Sequence, residues 1–239
     1  MLFATLLVTF TALGCMASAN TLTSGTTSYS TSLSGKYPNY KSTIYKKEGS
    51  SAKTKLVTVD NVAALSCIYK DKLFFTTDRK NDSECLDLYV LNLTSLKYTI
   101  LQKNAEIHDQ YGKYLLTAPN TGALMPLSYY VVNSTSGKIK KISSKCLGAN
   151  FSGKKIYYFQ TSSSKVSSSG TYKGKVYRCS LTGGSKKAMT KNITIGNAIK
   201  LTSTYIVYYK SGSYYKYTYK TKKTAKVKVT YSNGKVIIS

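Results

Sequence analysis

Short runs of β-branched and aromatic residues, separated by polar turns, recur along the chain. Lys72-Leu73-Phe74-Phe75 follows a turn at Lys70-Asp71, Lys113-Tyr114-Leu115-Leu116 follows Tyr111-Gly112, and Lys155-Ile156-Tyr157-Tyr158 follows Ser152-Gly153. Tyr205-Ile206-Val207-Tyr208 and Lys235-Val236-Ile237-Ile238 are two further copies. Their first apolar positions stand 41, 42, 50 and 30 residues apart. A second strand-like signature lies between them at Leu88-Tyr89-Val90-Leu91, Tyr129-Tyr130-Val131-Val132, Val176-Tyr177-Arg178-Cys179 and Tyr214-Tyr215-Lys216-Tyr217, with an earlier copy at Ile44-Tyr45-Lys46. Turn residues follow, such as Thr94-Ser95, Ser136-Gly137 and Gly183-Gly184, and then a shorter polar strand such as Lys138 to Ile142. One more strand precedes each unit, as at Ala63 to Tyr69. Residues rich in β propensity at period 2, with no helical periodicity after the first 19 residues, predict four short antiparallel strands per unit of about 42 residues.

Four strands every 40–45 residues is the spacing of a propeller blade. The expected fold class is therefore all-β and β-propeller-like, with about five four-stranded repeats; a partial propeller or a β-sandwich is the alternative. Residues 40–239 form the repeat domain on this reading. It opens on a third-strand copy at Ile44-Tyr45 and closes on a second-strand copy at Lys235 to Ile238. The terminal strands are thus expected to complete one blade together.

Ile156-Tyr157-Tyr158 followed by Val176-Tyr177-Arg178-Cys179-Ser180-Leu181-Thr182-Gly183-Gly184-Ser185 resembles the blade pattern of secreted bacterial β-propeller repeats, a domain of unknown function similar to the YWTD propellers of lipoprotein-receptor proteins. Leu73-Phe74-Phe75-Thr76-Thr77-Asp78 stands where the YWTD tetrapeptide would, with its tyrosine and tryptophan replaced. The resemblance implies a fold and an extracytoplasmic setting. It carries no catalytic residue across.

Residues Met1 to Ala19 change the picture of compartment. An apolar run from Leu2 to Leu13 precedes small residues, with Ala17 and Ala19 spaced for signal peptidase. Export with cleavage after Ala19 is expected, to the cell surface or the extracellular space. Ala12-Leu13-Gly14-Cys15 also resembles a lipobox, which would make Cys15 the lipid-bearing residue of a lipoprotein. Residues 20–39 are dominated by Ser and Thr and read as a flexible linker. Cys67, Cys85, Cys146 and Cys179 remain, an even number that permits two disulfides or four small buried hydrophobes.

The charge is distributed unevenly. Of 35 Lys+Arg and 9 Asp+Glu, every acid lies between Glu48 and Asp109, so residues 110–239 carry 23 basic side chains and no acidic one. Paired carboxylates for glycoside hydrolysis cannot come from that stretch, nor can an all-oxygen calcium cage. One histidine, His108, excludes multi-histidine zinc sites, and no cofactor or metal is expected. Nucleophile-elbow, phosphate-loop and dinucleotide motifs are absent from the sequence.

The candidate binding residues lie in the Tyr/Lys-rich segment 208–220. Strand alternation puts Tyr215, Tyr217 and Tyr219 on one face and Lys216 and Lys220 on the other, with Lys210 nearby. Lysines attract a polyanion and tyrosines stack on sugars or bases. All basic residues but Arg79 and Arg178 are lysine, a hydrated point charge suited to diffuse attraction and not to specific nucleic-acid reading. The expected function is an exported, non-catalytic binding or scaffold module of the cell envelope, a monomer. Its partner would be an anionic cell-wall polymer, an acidic polysaccharide or another envelope protein. The alternative is a lyase acting on acidic polysaccharide, in which Tyr or His108, beside Asp109, moves the proton.

Overall fold

A computed structural model describes residues 21–79, 82–119, 125–163, 165–232 and 235–239. The expected export segment 1–19, with Cys15, lies outside the described residues. The rest is strand and turn throughout. It divides into two compact units. One ends at Ile107 and also holds Pro119; the other holds His108–Ala118 and the chain from Met125 onward.

The first unit contains two four-stranded antiparallel sheets. One runs in sequence order through β1 (Thr21–Ser24), β2 (Thr27–Ser34), β3 (Lys41–Glu48) and β4 (Thr54–Asp60). The next runs through β5 (Ala63–Tyr69), β6 (Lys72–Arg79), β7 (Asp82–Asn92) and β8 (Tyr98–Gln102). Tyr29, Ile44, Val59, Leu65, Leu73, Phe75 and Leu91 form their shared core.

The second unit begins with an eight-stranded sheet that is two blades in series. β9 (Glu106–Tyr111), β10 (Tyr114–Ala118), β11 (Leu127–Asn133) and the first half of β12 (Ile139–Ser152) make one blade. The second half of β12 pairs with β13 (Lys155–Thr161), which pairs with β14 (Tyr172–Ser180). β15 (Lys187–Ala188) and β16 (Ile193–Ile195) share the far side of β14. A register shift between Cys146 and Gly148 lets one strand serve both blades, as bulges do. β17 (Asn197–Leu201), β18 (Tyr205–Lys210), β19 (Ser213–Thr218) and β20 (Thr224–Val227) form the last four-stranded sheet, and β21 (Val229–Ser232) pairs with β22 (Lys235–Ile238).

The apolar runs read from the sequence are the second and third strands of these blades. Two expectations fail. The Ser/Thr-rich segment 20–39 is not a tether, because it forms β1 and β2. Thr is β-branched and holds a ladder well, and β2 pairs with β3 over its full length from Thr27↔Glu48 to Ser34↔Lys41 while Tyr29 enters the core. The terminal strands also do not complete one blade. β3 takes its partner from β2, and the last hairpin pairs with itself from Val229↔Ile238 to Ser232↔Lys235.

Turns between third and fourth strands repeat one device. The Asn92 side chain accepts hydrogen bonds from the N–H groups of Thr94 and Ser95, and Asn133 does the same for Thr135 and Ser136. Leu96 and Gly137 then sit in the left-handed region, with φ of 56° and 69°. The fifth blade substitutes Thr218 and puts Lys222 there at 56°. In each case the carbonyl of the next residue, Lys97, Lys138 or Lys223, accepts a hydrogen bond from the N–H of Asn92, Asn133 or Thr218, and the fourth strand begins one residue later.

Two clusters fill the second unit. One centres on Leu116, Val131, Ile142, Ile156 and Tyr158, the other on Tyr157, Phe159, Val176, Ile206 and Tyr208. Each such buried side chain contributes about 1.5–3 kcal/mol. Gly174 is required by close approach, since a Cβ there would lie 2.2 Å from the Gln160 carbonyl oxygen and 2.9 Å from the Phe159 ring. Cys67, Cys146 and Cys179 are free thiols. Cys146 and Cys179 sit in the core, and burial pushes Cys67 and Cys146 up to about 12 and Cys179 up to about 11. They act as small hydrophobes and not as bridges.

Candidate functional site

The segment 208–220 divides between core and surface. Tyr215 and Tyr217 pack against the cluster that holds Phe159 and Tyr208, and Tyr208 stacks on Tyr215 at 5.7 Å. Tyr219 lies just past β19 and is 9% exposed, its hydroxyl pushed well above the usual tyrosine range by burial. The three tyrosines expected as a stacking platform therefore wall the core, Tyr219 being closed to any ligand. Lys210 and Lys216 are half-buried and Lys220 is exposed.

The accessible aromatics are on the opposite face. Register places Tyr209 against Tyr214, Val207 against Lys216 and Tyr205 against Thr218. Tyr209 is 38% exposed and meets Tyr214 edge-on at 5.3 Å, while Lys216 Nζ stands 5.1 Å from the centre of the Tyr205 ring. The sequence alternation contained this face, but bulk alone does not tell which side of a strand the core takes.

No described basic residue of 110–239 is buried. Eleven of the 23 lie on the fourth strands or beside them: Lys138, Lys140, Lys141 and Lys145 around β12, Lys186 and Lys187 at β15, and Lys220, Lys222, Lys223, Lys226 and Lys228 around β20; the rest are spread over the other strands and loops. The last group is five exposed lysines in nine residues.

His108 lies on β9, the first strand of its blade, between Glu106 and Asp109. Its ring meets Tyr129 at 5.2 Å, its Nε2 is shut off from solvent, and burial lowers its pKa to about 4. Burial also raises Glu106 to about 7 and raises Asp109, although Asp109 accepts hydrogen bonds from the N–H groups of Gln110 and Phe151. The bond from Phe151 ties β9 to β12. Burial thus keeps the imidazole neutral near pH 7 and shields its Nε2 from solvent.

A cleft of about 460 Å³ opens in the first unit, between its two sheets. The β2–β3 loop supplies Asn39 and Tyr40, the β4–β5 connection Asp60 and Asn61, and the end of β6 Asp78 and Arg79. Asp87, Tyr89 and Tyr98 form its wall. Asn61 adopts the left-handed region at φ 67° and donates from Nδ2 to the Asp78 carbonyl at 3.0 Å, which ties the connection to β6. Arg79 donates to Asp87 Oδ1 from Nε at 3.0 Å and Nη2 at 2.8 Å. Desolvation raises Asp87, but hydrogen bonds from Arg79 and the Asn104 N–H outweigh it and leave its pKa below the usual carboxylate range. Among the described residues no three His, Cys, Asp or Glu side chains group to hold a metal.

No protein-family model matches the chain, and no curated protein matches its sequence. Solved structures do match its fold. The β-propeller domain of the trilobed protease from Pyrococcus furiosus is similar at a TM-score of 0.59 and 14% identity, covering 94% of this chain and 78% of that one. The Pyrococcus horikoshii acylaminoacyl peptidase is similar at 0.56 and 12% identity, with 92% and 42% covered. A prolyl endopeptidase is similar at 0.52 and 14% identity, with 92% and 39% covered. The chain spans about two-fifths of the length of these last two peptidases. At such identities the likeness establishes a fold: the chain is a β-propeller.

Proposed function

We propose that the chain is an exported, non-catalytic β-propeller module of the cell envelope, of the secreted YWTD-like kind, that holds anionic wall polymer or acidic polysaccharide by its lysine-rich blade edges. The observation that carries this is the exposed run Lys220 to Lys228, in the turn that leads into the fourth strand of the fifth blade and on that strand at Lys226. Lysine on a sheet edge also blocks edge-to-edge pairing. One or two per edge suffice for that, as Lys53 and Lys55 show at β4, and the fifth blade has more. With no carboxylate in the same 130 residues to pair with them, these ammonium groups form a continuous positive field.

Retention on an immobilised polyuronate or anionic wall polymer at about 50 mM salt, with release as salt rises, is the test. Charge reversal of Lys220, Lys222, Lys223 and Lys226 to Glu should abolish retention. The same reversal at Lys53, Lys55, Lys97 and Lys103 should leave most of it. Equal loss from both sets would reduce the interaction to net charge and overturn the reading, as would failure of the unaltered chain to bind.

A further inference from the structure

Each blade holds its second strand between two neighbours. β2 pairs with β1 and β3, β6 with β5 and β7, β10 with β9 and β11, β13 with β12 and β14, and β18 with β17 and β19. β22 carries the same second-strand signature, Lys235-Val236-Ile237-Ile238, yet among the described residues it pairs with β21 alone. A hairpin of two strands is marginal by itself, whereas three or more with a buried face are stable. The register shows which main-chain groups of β22 face outward. Lys228 and Ser239 exchange hydrogen bonds at 2.8 and 3.1 Å. Bonded and non-bonded pairs alternate in an antiparallel ladder, so Ile237 bonds Thr230, while Val236 and Ile238 turn their N–H and C=O groups away from β21. The Val236 carbonyl accordingly accepts from Lys200 Nζ at 3.4 Å, on the side away from β21.

The fifth blade turns an incompletely covered face toward this hairpin. Lys200 stands opposite Val207, and Val207 opposite Lys216, so Lys200 reaches β22 from the side away from the Phe159 cluster. On that side Val207 is fully buried, but Tyr209 is 38% exposed. Tyr214 and Val227, which pair across β19 and β20, are half-buried, and Ala225 is exposed. These apolar groups belong to the outer half of the blade, where a third strand of the next blade would cover them. The hairpin is two-sided in the same sense. Val236 and Ile238 are half-buried, while Ile237 between them is 49% exposed.

We propose that β22 takes a third strand from a partner protein: an extended, antiparallel segment in which apolar residues alternate with Asp or Glu. Its main chain meets the N–H and C=O groups of Val236 and Ile238, and its apolar residues share their half-buried face. The charge of the chain selects the acidic residues, because positions 110–239 hold 23 basic side chains and no acidic one. A second copy brings the same net charge of +26 and is repelled. An incoming N–H replaces the Lys200 ammonium at the Val236 carbonyl, and the ammonium is then released to meet a carboxylate. Main-chain pairing is something no polysaccharide supplies, so this surface does not rest on the polyanion reading.

The experiment titrates the full chain with a short acetylated peptide of alternating Val and Asp, read by fluorescence anisotropy and hydrogen exchange. Binding should saturate and slow exchange at the Val236 and Ile238 amides. N-methylation of the peptide's valines, whose N–H groups face β22, keeps the charge and should weaken binding at least about tenfold. N-methylation of its aspartates should leave binding in place. Val236→Pro removes an outward N–H and no bond to β21, so it should weaken the peptide about tenfold at an unchanged melting temperature. A peptide with Asn for Asp should bind less well. Peptide binding should persist at about 150 mM salt, where the polyanion is released, so the two surfaces can fail separately. Failure of the unmodified peptide to bind overturns the assignment, as do equal binding of the valine-methylated or Asn peptide and unchanged affinity in Val236→Pro. A dimer of the chain alone that Val236→Pro abolishes, seen by sedimentation, would give the edge to a second copy and overturn it too.

Discussion

The two units place lysine alike and acid differently. Lys97 in the first unit occupies the same turn position as Lys138 and Lys223 in the second, one residue beyond a left-handed residue and at the entry to a fourth strand. Lysine there is a property of the repeat, protecting a blade edge wherever a blade ends. Carboxylates divide the units. The first unit gathers Asp60, Asp78 and Asp87 around its cleft, whereas the second unit has none after Asp109. The difference teaches that the +26 charge is two features laid over each other. One is an edge device common to both halves, and the other is the removal of every counter-charge from one of them.

Core substitutions give the largest expected effect with which to test that comparison. Phe159→Ala in the second unit should cost about 3–5 kcal/mol, read as a lower urea midpoint by circular dichroism. Phe75→Ala should cost as much in the first unit, and it should also loosen the aromatic wall of the cleft. If polyanion retention survives Phe75→Ala at a temperature where both variants stay folded, lysine edge and cleft are separate surfaces.

Asp87→Ala comes next, at about 1–2 kcal/mol, because it removes the acceptor of two Arg79 hydrogen bonds and of the Asn104 N–H. The folded-state pKa of Asp87 is depressed, so its contribution is present above the usual carboxylate range and is lost as pH falls through the depressed value. The acid-unfolding midpoint should therefore move toward neutral pH in the variant. An unchanged midpoint would mean that the pair stabilises nothing.

Glu106 works in the opposite sense. Its folded pKa is raised from 4.5 to about 7, so the folded state binds the proton more tightly and stability declines as pH rises through that window. Glu106→Gln should remove a slope of about 1–2 kcal/mol between those limits, measured by urea unfolding at a series of pH values. His108, lowered from 6.5 to about 4, loses stability as pH falls through its own window, and His108→Gln should flatten that limb. Neither variant should alter retention on a polyanion.

The smallest effect concerns buried hydroxyls. Tyr158 and Tyr219 in the second unit each bury an OH that has no partner among the described residues. Tyr158→Phe and Tyr219→Phe should each raise stability by about 1 kcal/mol, seen as a higher melting temperature. Tyr219→Phe should also leave polyanion binding intact; a loss of binding would return Tyr219 to the ligand surface.

Much of the fold was legible because apolar runs and polar turns alternate at a nearly fixed period. Leu73, Tyr114, Ile156 and Ile206 all lie at the start of second strands, and the tyrosine-rich copies between them are third strands, whereas Val236 lies in a separate two-stranded hairpin. The first blade was less legible. Thr27 to Ser34 has the β-branched residues of a strand without its apolar bulk, and only Tyr29 shows where the core is. The cleft was invisible, since Asn39, Asp60, Asp78 and Asp87 lie in four different segments with no common motif. No local spacing announces a site assembled from loops of two blades.

The linear chain determined the strand repeat, the lysine at each blade edge and the loss of acid after Asp109, because each of these is a property of neighbours along the backbone. Tertiary structure alone decided that Tyr215, Tyr217 and Tyr219 face the core while Tyr209 faces out, since alternation fixes only that successive residues oppose each other. It alone turned Arg79 to Asp87. The physical reason is that desolvation and charge pairing act through space, between residues as far apart in sequence as Tyr40 and Tyr98.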